Sequence, residues 1–153
     1  MGSFKLKSSA FKHEGKIPSK YSCDGIDVSP RLKWQTPPEN TESFVLIFDD
    51  PDAPMGTWDH WILFNIPSGV TELDENFLVK NSDIDEIKAG KNDFGKLEYG
   101  GPCPPGGTHR YFFKLYAIDT YLDIPEGVKK DKVLEAIEGH IIDKTELMGK
   151  YSR

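Results

Sequence analysis

Prolines and glycines interrupt this chain at short intervals, and that punctuation limits what it can fold into. Among 153 residues there are 14 Gly and 11 Pro, and they fall between apolar runs too short for long helices. Pro removes a backbone donor and Gly weakens a regular interior, so the intact runs read as strands and the breaks as turns. Ser43-Phe-Val-Leu-Ile-Phe48 is continuously apolar and closes in Asp49-Asp-Pro-Asp52, the pattern of a strand buried on both faces. Trp61–Ile66 is a second run, closed by Pro67-Ser-Gly69. Arg110–Ile118 is a third, rich in the aromatics that suit a pleated surface. Weaker strands are predicted at 4–10, 32–34 and 140–148. One helix is predicted over 129–139, with Val133, Leu134 and Ile137 on one face and Gly139 as its stop. A shorter helix is predicted within 82–89, and the rest of 82–107 reads as loop. These elements predict a mainly β fold, a large sheet or sandwich with one or two peripheral helices.

No internal repeat or low-complexity linker divides the chain, so residues 1–153 are expected to form one domain. The 37% hydrophobic and 12% aromatic content excludes a disordered chain. A net charge of -6, with Lys and Arg scattered, argues against a nucleic-acid partner and against anionic membrane surfaces. No apolar run approaches the ~20 residues needed to span a bilayer. The start lacks an apolar signal region, and Leu6 stands where a myristoylation site would want Ser or Thr. Two cysteines, Cys23 and Cys103, do not make a disulfide framework. The expectation is therefore two separate thiols in a reducing, cytoplasmic setting, with a single bridge or a redox pair as the alternative if the two lie close together.

Two segments carry the polar residues of interest. Asp49-Asp-Pro-Asp-Ala-Pro54 is followed by Gly56-Thr-Trp-Asp-His-Trp61, and Gly100-Gly-Pro-Cys-Pro-Pro-Gly-Gly-Thr-His-Arg-Tyr111 lies further on. Each is a Pro/Gly turn that delivers polar side chains to the end of a strand at low entropic cost. The payload is Asp50, Asp52, His60, His109, Arg110 and Tyr111. Imidazole and phenol donors, backbone N–H groups and one carboxylate suit a partly protonated phosphate. Asp52 and Arg110 read better as a supporting ion pair beneath the site than as ligand contacts. Trp58 reads as pocket wall. Metal hydrolysis by Asp50, Asp52, His60 and His109 would need a ligand spacing that the sequence lacks. Cys103 paired with His109 would need a helix N-terminus to activate the thiol, which the flanking prolines do not offer. No metal and no cofactor is expected.

The segments Asp50-Pro-Asp-Ala-Pro54, His60-Trp61 and Gly101–Tyr111 resemble the signature regions of the phosphatidylethanolamine-binding protein family. Ile17-Pro18, Tyr21-Ser-Cys-Asp-Gly25, Ser29–Trp34 and Glu146–Tyr151 are similar to its bacterial and archaeal branch. The resemblance implies a β-sandwich-like fold with a large central sheet and a small cavity for phosphate or phosphorylated head groups. Carried onto this chain, the ligand-binding residues would be Asp50, His60, His109 and Tyr111, with Trp58, Gly101 and Pro102 at the rim. It also implies a non-enzymatic binding protein that regulates a kinase or protease partner, and a homodimer. The alternative is an inhibitor acting through the 82–107 loop, with the anion site only structural. The short Gly56–Asp59 connection departs from the animal members and predicts a different cavity mouth. A small polar cavity holds only a head group, and an acidic chain without a basic amphipathic helix has little means of holding a membrane.

Overall fold

The computed structural model describes residues 3–153; the start of the chain that a myristoylation site would occupy, Met1 and Gly2, falls outside them. Eight strands form two antiparallel sheets. A small sheet contains β1 (Lys5–Lys7), β2 (Leu32–Gln35) and β5 (Glu72–Leu73), in the order β1-β2-β5. The large sheet contains β3 (Ser43–Asp50), β4 (Trp58–Pro67), β6 (Lys88–Ala89), β7 (Thr108–Ile118) and β8 (Ile141–Ser152), in the order β6-β4-β3-β7-β8. The fold is mainly β, as the punctuation of the sequence predicts.

The continuous apolar run is explained by its position. β3 is the central strand and every one of its residues is buried. Phe44, Leu46 and Phe48 pack toward the small sheet with Trp34, Leu73, Tyr111 and Phe113. Val45 and Ile47 pack on the other face with Val133 and Ile137 of the single α-helix among the described residues, α1 (Lys130–Ile137). Each fully buried Leu, Ile or Phe contributes roughly 1.5–3 kcal/mol of transfer free energy, so this strand anchors both layers. Its neighbours β4 and β7 are the other two strong apolar runs, and both pair with it in antiparallel register.

Several expectations need correction. The helix predicted within 82–89 does not form. Ser82 Oγ instead accepts from the Ile84 N–H at 3.0 Å, and Lys88–Ala89 pairs with β4 as an edge strand, so local side-chain bonding and strand pairing win over helix propensity. Leu134 does not join Val133 and Ile137 on the buried face of α1 but is 38% exposed. The first strand is shorter than predicted, and the last runs on to Ser152 because β7 offers it a partner along its whole length. Gly139 does end the helical segment, with a φ of 82° in the left-handed region. Among the described residues no helix is long and apolar enough to cross a membrane.

Candidate functional site

The three central strands end together, and their ends carry the residues singled out from the sequence. Asp50 closes β3, Trp58 and His60 open β4, and His109 and Tyr111 open β7. Alternation alone would turn His60 away from Trp61. Along the β3–β4 ladder, however, Phe48 pairs with Trp61 and Asp49 with Asp59, which leaves His60 as the extra residue of a β-bulge. A bulge re-aims the side chain it inserts. It brings the His60 ring to the Phe48 face, 5.5 Å from Phe48 and 5.4 Å from Tyr111 between ring centroids. Asp59 turns to the other face, where Lys130 lies 2.6 Å from its carboxylate.

Asp50, His60, His109, Tyr111 and Trp58 line one cavity of about 230 Å³, room for several waters at roughly 30 Å³ each. Phe94 and the Cys103-Pro-Pro105 segment complete the wall, with Ala53 and Pro54 from the turn after β3. Phe48, stacked on Tyr99 and Phe113, packs against the rings of both His60 and Tyr111. Among the described residues no Lys or Arg lines the cavity.

The polar groups are tightly defined. His109 Nδ1 lies 2.7 Å from Asp50 Oδ2, and both side chains are buried. A carboxylate accepts, so Nδ1 carries the proton and Nε2 faces any ligand as an acceptor, or as a donor once the ring is charged. Asp50 Oδ1 accepts from the Asp52 N–H at 2.8 Å, an Asx-type turn that fixes Asp50 as the chain leaves the strand. His60 Nδ1 lies 2.7 Å from the Gly100 carbonyl and therefore donates. Burial holds the His60 ring below the usual histidine range; the Gly100 bond and the Asp50 charge oppose that only in part. Tyr111 Oη is fully buried and has no hydrogen-bond partner among the described residues. Asp50 and the Cys103 backbone are its polar neighbours, but neither meets it in bonding geometry. Burial first and the Asp50 charge second push the phenol up, so it remains a donor.

Other predicted residues take different places. Gly101 and Pro102 do not line the cavity. The Gly101 N–H donates to Asp27 Oδ1 at 2.8 Å and the Pro102 carbonyl accepts from Cys23 N at 3.1 Å. A β-carbon on Gly101 would lie 2.1 Å from the Tyr21 carbonyl oxygen, so this glycine permits a close approach behind the wall. Asp52 and Arg110 do pair, through Arg110 Nε and Nη2 at 2.9 and 2.8 Å. The guanidinium holds the Asp52 carboxyl down at about 2. The pair lies on the surface, with Arg110 half exposed, and not beneath the cavity. The expectation of two separate thiols is overturned: Cys23 and Cys103 form a disulfide with a Cα–Cα distance of 5.4 Å. The bridge removes the cysteine argument for a reducing compartment, and it leaves Cys103 without a thiol for nucleophilic chemistry.

Phe94 was not legible in advance. It lies in the predicted loop, packs edge-on against His60 at 5.2 Å and Trp58 at 5.6 Å, and is held there by Asn92. Asn92 is a buried hub: its amide donates to the His60 and Glu98 carbonyls and accepts from the Phe94 and Lys96 N–H groups. A lone Asn two residues before an aromatic is the only sequence trace of this arrangement.

Two stacked antiparallel sheets, with a cavity where the three central strands end, define a β-sandwich with a walled pocket at one end of its large sheet. The chain belongs to the phosphatidylethanolamine-binding protein family, whose model matches residues 7–152. It is 51% identical over 148 residues to a UPF0098 protein of Methanothermobacter thermautotrophicus, covering 97% of this chain and 98% of that one. A homolog of phosphatidylethanolamine-binding protein from Chlamydia trachomatis superposes with a TM-score of 0.91 at 41% identity, covering 100% of this chain and 99% of that structure. YbcL of E. coli, described as a new member of the mammalian family, superposes with a TM-score of 0.91 at 30% identity, covering 99% of each chain.

Proposed function

We propose that this chain is a non-enzymatic binding protein whose cavity takes a phosphate group, carried on a small molecule or on a protein that it regulates. The observation that supports this most is the Tyr111 hydroxyl, a buried donor without an acceptor, beside His109 Nε2 in a walled cavity. An unsatisfied buried polar atom costs roughly 1–3 kcal/mol, a cost that a ligand oxygen would remove. The His109–Asp50 bond prepares the second contact, since Asp50 is the counter-charge that an imidazolium would need. The mouth supports a ligand carried on something larger, because Trp58 and Phe94 at the cavity and Met55 in the adjoining turn are 36%, 42% and 95% exposed.

Binding fits better than hydrolysis. Asp52 is turned away to Arg110, and among the described residues no three of His, Cys, Asp and Glu are grouped so as to hold a metal ion. The test is calorimetric titration with inorganic phosphate, phosphoethanolamine and a phosphotyrosine analogue, beside Tyr111→Phe and His109→Ala. Saturable binding that both variants weaken is expected. No binding of any of the three would defeat this reading and favour inhibition through the 82–107 loop.

A further inference from the structure

Resting on the phosphate-binding reading above, we propose that the cavity selects phosphate groups that still carry a proton, inorganic phosphate and phosphomonoesters, and rejects phosphodiesters, the form phosphate takes in an intact phospholipid. His60 carries the argument. Its Nδ1 is 2.7 Å from the Gly100 carbonyl oxygen, and a carbonyl only accepts, so the ring proton is on Nδ1. The Gly101 carbonyl also lies near the ring, but no hydrogen bond of Nε2 meets bonding geometry among the described residues, and Nε2 is an acceptor while the ring is neutral. The surrounding rings of Phe48, Phe94 and Tyr111 exclude the water that would stabilise a charged imidazole.

The remaining groups complete a fixed pattern. Tyr111 Oη is a donor in need of an acceptor. Each Asp50 oxygen already accepts one hydrogen bond, Oδ2 from His109 and Oδ1 from the Asp52 N–H, and any lone pair left over is a further acceptor. A tetrahedral ligand therefore meets one donor at Tyr111, one acceptor at His60 and one adaptable nitrogen at His109. A monoester monoanion answers all three, offering bare oxygens to Tyr111 and His109 and its P–OH to His60. A diester anion has no P–OH. Either a bare oxygen faces the His60 lone pair, close to the Asp50 carboxylate, or an ester oxygen leaves Nε2 without a partner. Sites built to satisfy a buried polar atom reject analogues that cannot do so. No lining Lys or Arg is present to compensate.

Ethyl phosphate and dimethyl phosphate are isomers of equal atom count, so comparing them cancels size. Both would be titrated calorimetrically at about pH 6, near a monoester's second ionisation, together with inorganic phosphate. The His60 ring nitrogens would be followed by 15N NMR. The expected result is binding of ethyl phosphate and of inorganic phosphate, with dimethyl phosphate weaker by at least roughly tenfold. His60→Gln, whose amide can donate, should narrow that gap. Equal affinity for the two esters would overturn the selection and leave phosphate binding intact. No binding by any of the three would overturn the phosphate-binding reading itself. A proton on His60 Nε2 in the free protein would overturn the selection whether or not the variant folds.

Discussion

His109 donates its Nδ1–H to Asp50 across the ends of β7 and β3 at 2.7 Å, and both side chains are almost fully buried. Breaking the pair from either side has different consequences. His109→Ala leaves a buried carboxylate oxygen without its donor, at a cost of about 1–3 kcal/mol. Asp50→Asn keeps an acceptor for Nδ1–H, and besides the charge it loses only the turn hydrogen bond from the Asp52 N–H, where the amide nitrogen replaces an oxygen. Denaturant unfolding should therefore show His109→Ala as the less stable variant, while phosphate titration should show both weakened by tenfold or more. Unchanged phosphate affinity in Asp50→Asn would mean that the carboxylate charge has no part in binding.

Tyr111→Phe separates stability from binding. The hydroxyl is buried without a partner, so removing it deletes an unsatisfied group from the interior. Stability should stay level or rise by up to about 1 kcal/mol, while phosphate affinity falls by about tenfold. A stability loss of similar size would show that the hydroxyl is bonded within the protein and not held ready for a ligand.

His60 makes stability depend on pH in a direction that can be worked out. Burial lowers its folded-state pKa below the ordinary 6.5. Between those two values the unfolded chain binds a proton that the folded chain does not, so stability falls as pH falls through about 6.5 and is fully retained above it. The chain has three other histidines, so the quantity to measure is the difference between wild type and His60→Gln in thermal unfolding from pH 5 to 8. The variant should show the flatter profile. Parallel profiles would mean that the ring ionises equally in both states.

The strand ends were legible in the sequence because each is announced by composition. A continuous apolar run ending in Asp-Pro-Asp, and aromatic strands opening on His60 and His109, place their polar residues through turn chemistry and burial. What was hidden depends on contacts between distant segments. The bulge that turns His60 inward is a property of the β3–β4 register. Phe94 reaches the cavity only because Asn92 folds its loop back onto the His60 carbonyl. The Cys23–Cys103 bridge joins residues 80 apart, and two cysteines carry no spacing rule that would show they meet. Gly101 looked like a rim residue, yet its N–H is used by Asp27. Residue type indicated which groups matter; the partners that commit one of their atoms came only with the fold.

The Cys23–Cys103 bridge ties a wall of the cavity to the 21–27 segment, which raises the question of whether it serves the site or the scaffold. The neighbouring bonds argue for the scaffold. Gly101 N–H to Asp27, Cys23 N–H to the Pro102 carbonyl and Tyr99 hydroxyl to the Tyr21 carbonyl at 2.7 Å clamp the same two segments within a few residues of the bridge. These bonds survive reduction, so the wall should keep its place in the folded state. The unfolded chain, by contrast, is freed from a closed loop spanning a separation of 80 residues. The chain-entropy model assigns such a loop at most about 4.5 kcal/mol, and a fall in Tm on the order of 10 °C follows for a chain of this size. Reduction, or Cys103→Ser, should thus lower Tm markedly while phosphate affinity changes by less than about threefold. Collapse of affinity with an unchanged Tm would place the bridge in the site itself.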